Sequence, residues 1–198
     1  TTKETDNSIK ETYNSEKDIY DCLSSVYQYN DIGDALEIIV VDNNSEHYAR
    51  MQDKLSTLYP KVNIISNSTN GGYGQGNNIG IQSASAPIVS IMNPDVRLVM
   101  PIFQRILNIF EDQEIVMCGG KQYKNATTPA ISFCCDYHRN ALLQSIGISY
   151  YRKRDIYKQQ SMWLSGAFFF IRKKEFEQIG LFDENIFMYG EEYVNLSV

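Results

Sequence analysis

Two aspartates directly follow apolar, β-branched runs of this sequence, at places where buried strands would end. Asp42 comes after the run at 36–41, and Asp95 comes after the run at 88–92. A carboxylate at the end of a parallel strand can accept hydrogen bonds from a ribose or a base edge, or bind a divalent cation on a diphosphate. Both aspartates also lie in good turn sequences, so either one taken alone is equally well explained as a turn residue.

A glycine-rich segment lies between these two aspartates, at residues 70–76. Glycines let the backbone approach a ligand closely, and the free amides of a following helix suit an anionic diphosphate. The spacing excludes the dinucleotide-binding fingerprint, because Gly72, Gly74 and Gly76 alternate and no start among them gives G-x-G-x-x-G. A plain glycine-rich turn is the alternative interpretation.

Two adjacent carboxylates, Glu191 and Glu192, follow an apolar segment at 187–190. Crowding of carboxylates in a half-buried cleft raises the pKa of one of them, and a carboxylate with a raised pKa is suited to act as a general base. An acidic first turn of a helix would give the same sequence.

Helical and strand patterns alternate along the chain, which is typical of an α/β sheet. Between residues 123 and 160 the pattern loosens, which predicts an irregular excursion over the sheet or a mobile loop. Ser45 is placed to cap the second helix, and Gly180 to end the last one. The predicted helices are 19–27, 47–58, a stretch from the glycine-rich loop to 84, 102–110 and 173–179, and the predicted strands are 36–41, 62–66, 88–92, 116–118 and 163–171.

Composition limits the classes of function. The 198 residues suit one domain, and a formal charge of -6 without a basic stripe speaks against a nucleic-acid partner. No apolar stretch approaches the length of a spanning helix, and the polar residues 1–11 do not resemble a signal peptide, so we expect a cytoplasmic protein. The cysteines lack C-x-x-C spacing, and His47 and His138 lie far apart, so a structural zinc site is not expected.

The order of the motifs carries a resemblance to a known family. The sequence is similar to the family 2 glycosyltransferases, and most similar to the rhamnosyltransferase-type branch of bacterial surface-polysaccharide enzymes. The motifs that carry this resemblance are T-Y-N-S at 12–15, I-V-V-D-N-N-S at 39–45, N-G-G-Y-G-Q-G-N-N-I-G at 70–80, N-P-D at 93–95, S-G-A at 165–167, G-L-F-D-E at 180–184 and Y-G-E-E at 189–192.

The resemblance implies an α/β fold of the GT-A type, with a Rossmann-like, mostly parallel central sheet flanked by helices in a single domain over 1–198. It also implies a role for each motif. Those roles are a nucleoside contact for Thr12, Tyr13 and Asp42; a nucleotide and donor pocket lined by Gly72, Asn78 and Asn93; a donor-sugar floor at Ser165 and Gly166; a divalent metal, Mn²⁺ or Mg²⁺, on Asp95; and a general base at Glu192, with Glu191 as the alternative.

The implied reaction moves a sugar, with inversion, from a UDP- or dTDP-sugar to a saccharide or lipid-linked saccharide acceptor. The implied place is the cytoplasm, with at most peripheral contact to the inner face of the membrane. A sugar-nucleotide-binding protein with impaired transfer is the alternative. A nucleotidyltransferase would need its glycine-rich loop after the first strand, and no such loop lies near Thr12.

The sequence departs from the family pattern at both ends. The family has an apolar first strand before T-Y-N, whereas residues 6–11 read D-N-S-I-K-E, and charged residues are not expected in a central parallel strand. The acidic motif carries Glu192 where the family has Asp, with one apparent extra residue before Leu196. The family normally continues into C-terminal helices, so we expect this extension to be missing.

Overall fold

A computed structural model describes residues 6–12, 16–125, 128, 133–135, 149–151, 154 and 162–186. Along this part of the chain the strands are β1 (Asp6–Thr12), β2 (Leu36–Asn43), β3 (Asn63–Asn67), β4 (Ile88–Met92), β5 (Met117–Gly119), β6 (Phe133–Cys135), β7 (Met162–Leu164) and β8 (Phe168–Arg172). The helices are α1 (Glu16–Gln28), α2 (Tyr48–Leu58), α3 (Gly72–Ser83), α4 (Phe103–Ile109) and α5 (Lys173–Gln178), with a 3₁₀ turn at Gly33–Ala35.

Six strands form one sheet in the order β3-β2-β1-β4-β8-β5. The first four strands of that order are mutually parallel, and β8 runs antiparallel between β4 and β5. β6 and β7 pair as a separate antiparallel ribbon. The described part of the chain therefore has the mostly parallel α/β sheet that the alternating pattern predicts.

The expectation that charged residues exclude 6–11 from a central strand is wrong. β1 pairs in parallel with β2 along its whole length, from Asp6 opposite Leu36 to Thr12 opposite Asp42, and with β4 on its other side. Backbone pairing does not depend on side-chain type, and the neighbouring strands β2 and β4 contribute long buried runs to the core. Tertiary context here overrides the composition of one strand.

The core lies on both faces of the sheet, because successive side chains of a strand point to opposite sides. On one face Ile38 and Val40 pack with α1, α2 and α4, and on the other Ile39 and Val41 pack with α3 and α5. The segment Ile88–Met92 of β4 is buried throughout. Both faces are covered, so the ligand-accessible groups lie at the strand ends rather than on the faces.

The glycine-rich segment is more helical than its composition predicts, since α3 begins at Gly72 and includes Gly74 and Gly76. Gly74 has a packing reason: a Cβ there would lie 3.2 Å from the carbonyl oxygen of Asp183 and from the Cβ of Phe182. The close approach of the 180–184 loop therefore requires glycine at this point and outweighs its low helix propensity.

The structure also shows where two helices begin or end and how the strand predicted at 163–171 is divided. Gly180 ends α5 as predicted: its φ is +99°, and the Leu181 N–H donates to the carbonyl of Phe176 at 3.1 Å. The N-cap of α2 is His47 rather than Ser45, and it makes no side-chain capping bond. The single strand expected at 163–171 is instead two strands, β7 and β8, because the S-G-A residues turn the chain between them.

Candidate functional site

The candidate site lies at the edge of the sheet where β1, β2 and β4 end. The beginning of β8 reaches the same edge, because β8 is antiparallel to β4 and Phe168 pairs with Met92. The backbone N–H of Asn93 donates to the carbonyl of Ala167 at 2.9 Å. The N-P-D and S-G-A motifs, about 70 residues apart in sequence, are thus held side by side.

Asp42 is fully buried at this edge, at the end of β2. Its Oδ2 accepts the backbone N–H of Ser45 at 2.9 Å, which is the turn contact that composition alone predicts. Its Oδ1 is also buried, and no group in the described part of the chain donates to it. A buried acceptor without a donor is costly, and in native structures a bound water, ion or ligand commonly supplies the missing partner.

A network of amide side chains fixes the loops beside Asp42. The Asn43 Nδ2 donates to the Gly72 carbonyl at 3.0 Å, and Asn67 donates both to Asn43 and to the Gln75 Oε1, at 3.1 and 2.9 Å. Asn70 accepts the Gly72 N–H at 3.2 Å. The beginning of α3 is therefore attached to the ends of β2 and β3 by side-chain hydrogen bonds, which fixes the position of the helix N-terminus.

Tyr73 joins this helix to the S-G-A turn. Its hydroxyl donates to the carbonyl of Gly166 at 2.6 Å, and its ring meets Phe182 edge to face at a centroid distance of 5.5 Å. The donor-pocket residues predicted from sequence at Gly72, Ser165 and Gly166 are thus brought to the same edge.

Asp95 is exposed in the turn after β4. Arg97 stabilises this turn, because its guanidinium donates to the Pro94 carbonyl at 2.6 Å. The same guanidinium lies 3.3 Å from a carboxylate oxygen of Asp18 on α1. The described residues contain no group of three acidic, histidine or cysteine side chains that could hold a metal alone. One exposed carboxylate fits Mg²⁺ or Mn²⁺ only where substrate phosphates and water complete the coordination, which is the usual arrangement for Mg²⁺.

Asn78 lies on α3 and is almost fully buried. Its carboxamide makes three hydrogen bonds to the loop at 180–184: the Oδ1 accepts the Phe182 N–H, and the Nδ2 donates to the Phe182 carbonyl and to the Glu184 carboxylate. In the same loop, hydrogen bonds from the backbone and side chain of Asn185 lower the pKa of Asp183. A direct nucleotide contact by Asn78 stays a prediction.

The remaining predicted site residues are described in part or not at all. For Thr12 the structure gives the backbone, which ends β1 opposite Asp42. Asn93 is half-buried and its carbonyl faces the Cys22 thiol at 3.8 Å. Tyr13, Glu191 and Glu192 lie outside the described residues.

Sequence reasoning assigned no role to Tyr73, Asn43 or Arg97. Tyr73 and Asn43 stand inside motifs that were recognised, and their polar groups at a loop-to-helix junction were the available signal. Arg97 gave no signal, because its contacts to α1 arise only from tertiary packing.

Taken together, the edge offers an unpartnered carboxylate oxygen, a glycine-rich helix start and an exposed carboxylate. These groups suit a nucleoside, a diphosphate and a divalent cation, respectively. Among the described residues, no helix is long and apolar enough to span a bilayer.

Comparison with solved structures identifies proteins with a similar fold. The mannosyltransferase PcManGT from Pyrobaculum calidifontis, in complex with GDP-Man and Mn²⁺, superposes with a TM-score of 0.63 at 16% identity over 94% of this chain and 49% of that chain. TarS 1-349 from S. aureus, in complex with UDP, gives 0.69 at 16% identity over 97% of this chain and 54% of that one. The chain spans about half the length of these proteins. The comparison with curated protein sequences finds no match.

The sequence model described as Glycosyl transferase family 2 matches residues 11–180. This range includes every described motif from the end of β1 to Gly180, and the structural neighbours confirm the expected GT-A glycosyltransferase fold. The chain therefore belongs to glycosyl transferase family 2.

Proposed function

We propose that this chain transfers a sugar from a nucleoside diphosphate sugar to a hydroxyl group of an acceptor. The observation that carries the proposal is the Oδ1 of Asp42, which is buried where the strand ends meet the beginning of α3 and receives no hydrogen bond from any residue that the structure describes. A nucleoside bound there would supply the missing donor and place its diphosphate near the helix start. Family membership supports the same reaction class.

Asp42 holds the nucleoside in this proposal, together with Thr12 and Tyr13. Gly72 lets the backbone approach the diphosphate, and Ser165 and Gly166 form the floor under the sugar. The hydrogen bond from Tyr73 to Gly166 supports this assignment, because it fixes the floor to the same helix that faces the diphosphate. Positioning of this kind contributes to rate by reducing the entropy lost on reaching the transition state.

Asp95 would hold a divalent cation, Mn²⁺ or Mg²⁺, together with the diphosphate oxygens. The cation would stabilise the charge that develops on the departing nucleoside diphosphate. Arg97 fixes the turn beneath Asp95 but uses its own donors on backbone and on Asp18, so it is a support for the turn rather than a second phosphate ligand. The complex of PcManGT with GDP-Man and Mn²⁺ is consistent with such a site in this fold.

Glu192 is our candidate for the general base, with Glu191 as the alternative. The base would take the proton of the acceptor hydroxyl as its oxygen attacks the anomeric carbon and the bond to the diphosphate breaks. A single displacement of this kind inverts the anomeric configuration. The carboxylate pair and its family motif support this assignment.

The donor and the acceptor form the finer part of the proposal. We infer a UDP- or dTDP-hexose as donor, with rhamnose among the candidates, and a saccharide or lipid-linked saccharide of bacterial surface-polysaccharide synthesis as acceptor. We infer that transfer takes place in the cytoplasm, with at most peripheral contact to the inner membrane face. The motif order supports these inferences, and the complexes of PcManGT with GDP-Man and of TarS with UDP are consistent with a nucleoside diphosphate in this fold.

The proposal is tested by a thermal-shift panel of UDP-, dTDP- and GDP-sugars with and without Mn²⁺. A ligand that binds only the folded chain raises its melting temperature, by an amount equivalent to about 2.7 kcal/mol at 100 times its Kd. Asp42→Asn is expected to reduce the response by about half or more at the same ligand concentration, whereas Asp34→Asn, which alters an exposed aspartate paired with Lys61, is expected to keep it. Binding without transfer to any acceptor would favour the impaired sugar-nucleotide-binding protein instead.

A further inference from the structure

We propose that Asn78 is a positioning residue that clamps the loop at 180–184 onto helix α3 and so fixes the loop that precedes the acidic motif in the chain. The inference rests on the proposed transfer reaction and assigns Asn78 a task other than nucleotide contact. It is carried by the hydrogen bonds that its carboxamide makes.

All three of these bonds run to residues more than 100 positions away in sequence. The Asn78 Oδ1 accepts the backbone N–H of Phe182 at 3.0 Å, and its Nδ2 donates to the Phe182 carbonyl at 3.0 Å. The same Nδ2 donates to the Glu184 Oε1 at 2.9 Å. A carboxamide carries both an acceptor and donors, so it can pair with the backbone N–H and the carbonyl of one residue, and with three bonds to the loop it keeps little capacity for a ligand.

The backbone of the loop is strained at Leu181, so contacts from outside the loop must stabilise its conformation. Gly180 and Leu181 are both in the left-handed region, with φ of +99° and +63°. For a residue with a side chain such as Leu181 this conformation costs about 1–2 kcal/mol and persists only where neighbouring contacts fix it. The clamp acts on the very next residue, and Leu181 and Phe182 are buried against the sheet.

Helix α3 also contacts the S-G-A turn and Asp183 of the loop. One turn before Asn78, Tyr73 holds the S-G-A turn, and Gly74 lies directly against the backbone of Asp183. Glu184 follows in the loop, and Glu192 stands only eight residues further along the chain. A displacement of about 1 Å at such a support can cost 10²-fold in rate without removing any reacting group.

An open cavity of about 410 Å³ lies between this helix and the loop, and Gln82 lines it from the last turn of α3. Gln82 is exposed and belongs to the same helix, so Gln82→Ala is a matched control that changes the cavity without changing the clamp.

The test measures kcat and KM for donor turnover, the Kd for the nucleoside diphosphate, and amide hydrogen exchange at Phe182. For Asn78→Ala we expect kcat to fall by about tenfold or more, with Kd changed by less than about twofold. The Phe182 N–H should exchange quickly in this variant and slowly in the wild type and in Gln82→Ala, because it loses its acceptor.

A second pair of variants covers the case in which Asn78→Ala fails to fold. Asn78→Asp keeps an acceptor for the Phe182 N–H but places a carboxylate against Glu184, whereas Asn78→Asp with Glu184→Gln restores a donor at that contact. We expect the double variant to regain at least threefold in kcat over Asn78→Asp, a non-additivity that reports direct contact.

Two results would overturn the inference. One is a loss of nucleotide affinity in Asn78→Ala with kcat unchanged, which would make Asn78 a nucleotide ligand. The other is unchanged Phe182 exchange together with additive effects of the Asp and Gln substitutions. A wild type that turns over no donor would instead count against the proposed transfer reaction, and the exchange at Phe182 would still decide whether the clamp exists.

Discussion

The hydroxyl of Tyr73 donates a 2.6 Å hydrogen bond to the backbone carbonyl of Gly166, a residue 93 positions later in the chain. This bond joins the beginning of the glycine-rich helix to the turn that precedes β8. The two segments that we assign to the diphosphate and to the donor sugar are therefore held by one side chain, whose ring also packs against Phe182.

Removing that hydroxyl should weaken sugar recognition selectively. Tyr73→Phe keeps the ring contact but leaves the Gly166 carbonyl without its donor, a loss of about 1 kcal/mol. We expect about fivefold weaker binding of the sugar nucleotide, with binding of the free nucleoside diphosphate unchanged, as measured by calorimetric titration. Tyr27→Phe, at a partly exposed tyrosine stacked on Tyr59, is the control. Equal affinity of Tyr73→Phe and wild type for the sugar nucleotide would count against a sugar floor at Gly166.

Substitution of Asp42 should weaken nucleotide binding without lowering the free energy of unfolding. Asp42→Asn retains an oxygen for the Ser45 N–H and replaces the unpartnered buried Oδ1 with an amide nitrogen. The free energy of unfolding of the ligand-free variant should equal or exceed that of the wild type, because a site that awaits a ligand is not optimised for stability. Nucleotide binding should weaken by about 1.5–3 kcal/mol, since the nucleoside donors lose a charged acceptor. Denaturant unfolding and nucleotide titration measure the two quantities, and a drop in stability with binding intact would make Asp42 a turn residue only.

Asp95 should affect only the metal-dependent part of binding. In Asp95→Asn we expect the nucleotide Kd measured with Mn²⁺ to rise to the value measured without it, while the melting temperature stays unchanged because the side chain is exposed. Asp21→Asn alters another exposed carboxylate near Arg97 and should retain the full Mn²⁺ effect. An undiminished Mn²⁺ effect in Asp95→Asn would remove Asp95 from the metal site.

The two glutamates should differ in turnover rather than in binding. Loss of a general base typically costs ~10²–10⁴-fold in rate with donor binding retained, so Glu192→Gln should bind sugar nucleotide normally and transfer it poorly. Glu191→Gln should reduce the transfer rate much less. Each of the two variants therefore serves as the control for the other. A larger loss for Glu191→Gln would show that the extra residue before Leu196 has shifted the motif by one position.

Much of this fold follows from periodicity and from the ends of apolar runs. The strands at 36–43 and 88–92 are buried along most of their length, and runs of this kind are typical of parallel sheets. β1 could not be identified in this way, because its charged residues contradict the pattern and its place depends on two neighbours that are distant in sequence. The start of α3 at Gly72 could not be predicted either, because glycines disfavour a helix and the packing that requires Gly74 involves a loop more than 100 residues later.

In the candidate site, too, some residues could be identified from the sequence and others only from tertiary contacts. Asp42 and Asp95 were identifiable from sequence because they stand at the ends of strands, and the structure places both turns at one edge of the sheet. The Tyr73 and Asn78 contacts could not be derived, because their partners lie 93 and 104 residues away. For Asn78 the motif indicated that the residue matters without indicating what it contacts.

Sugar transfer from a nucleoside diphosphate sugar releases the nucleoside diphosphate. This release can be measured with UDP- and dTDP-sugars, Mn²⁺ and a panel of saccharide acceptors. We expect acceptor-dependent release of one of these nucleotides by the wild type, and at least tenfold slower release by Asp42→Asn at subsaturating donor. Absence of release by the wild type with every donor and acceptor, or equal release by Asp42→Asn, would contradict the proposed function.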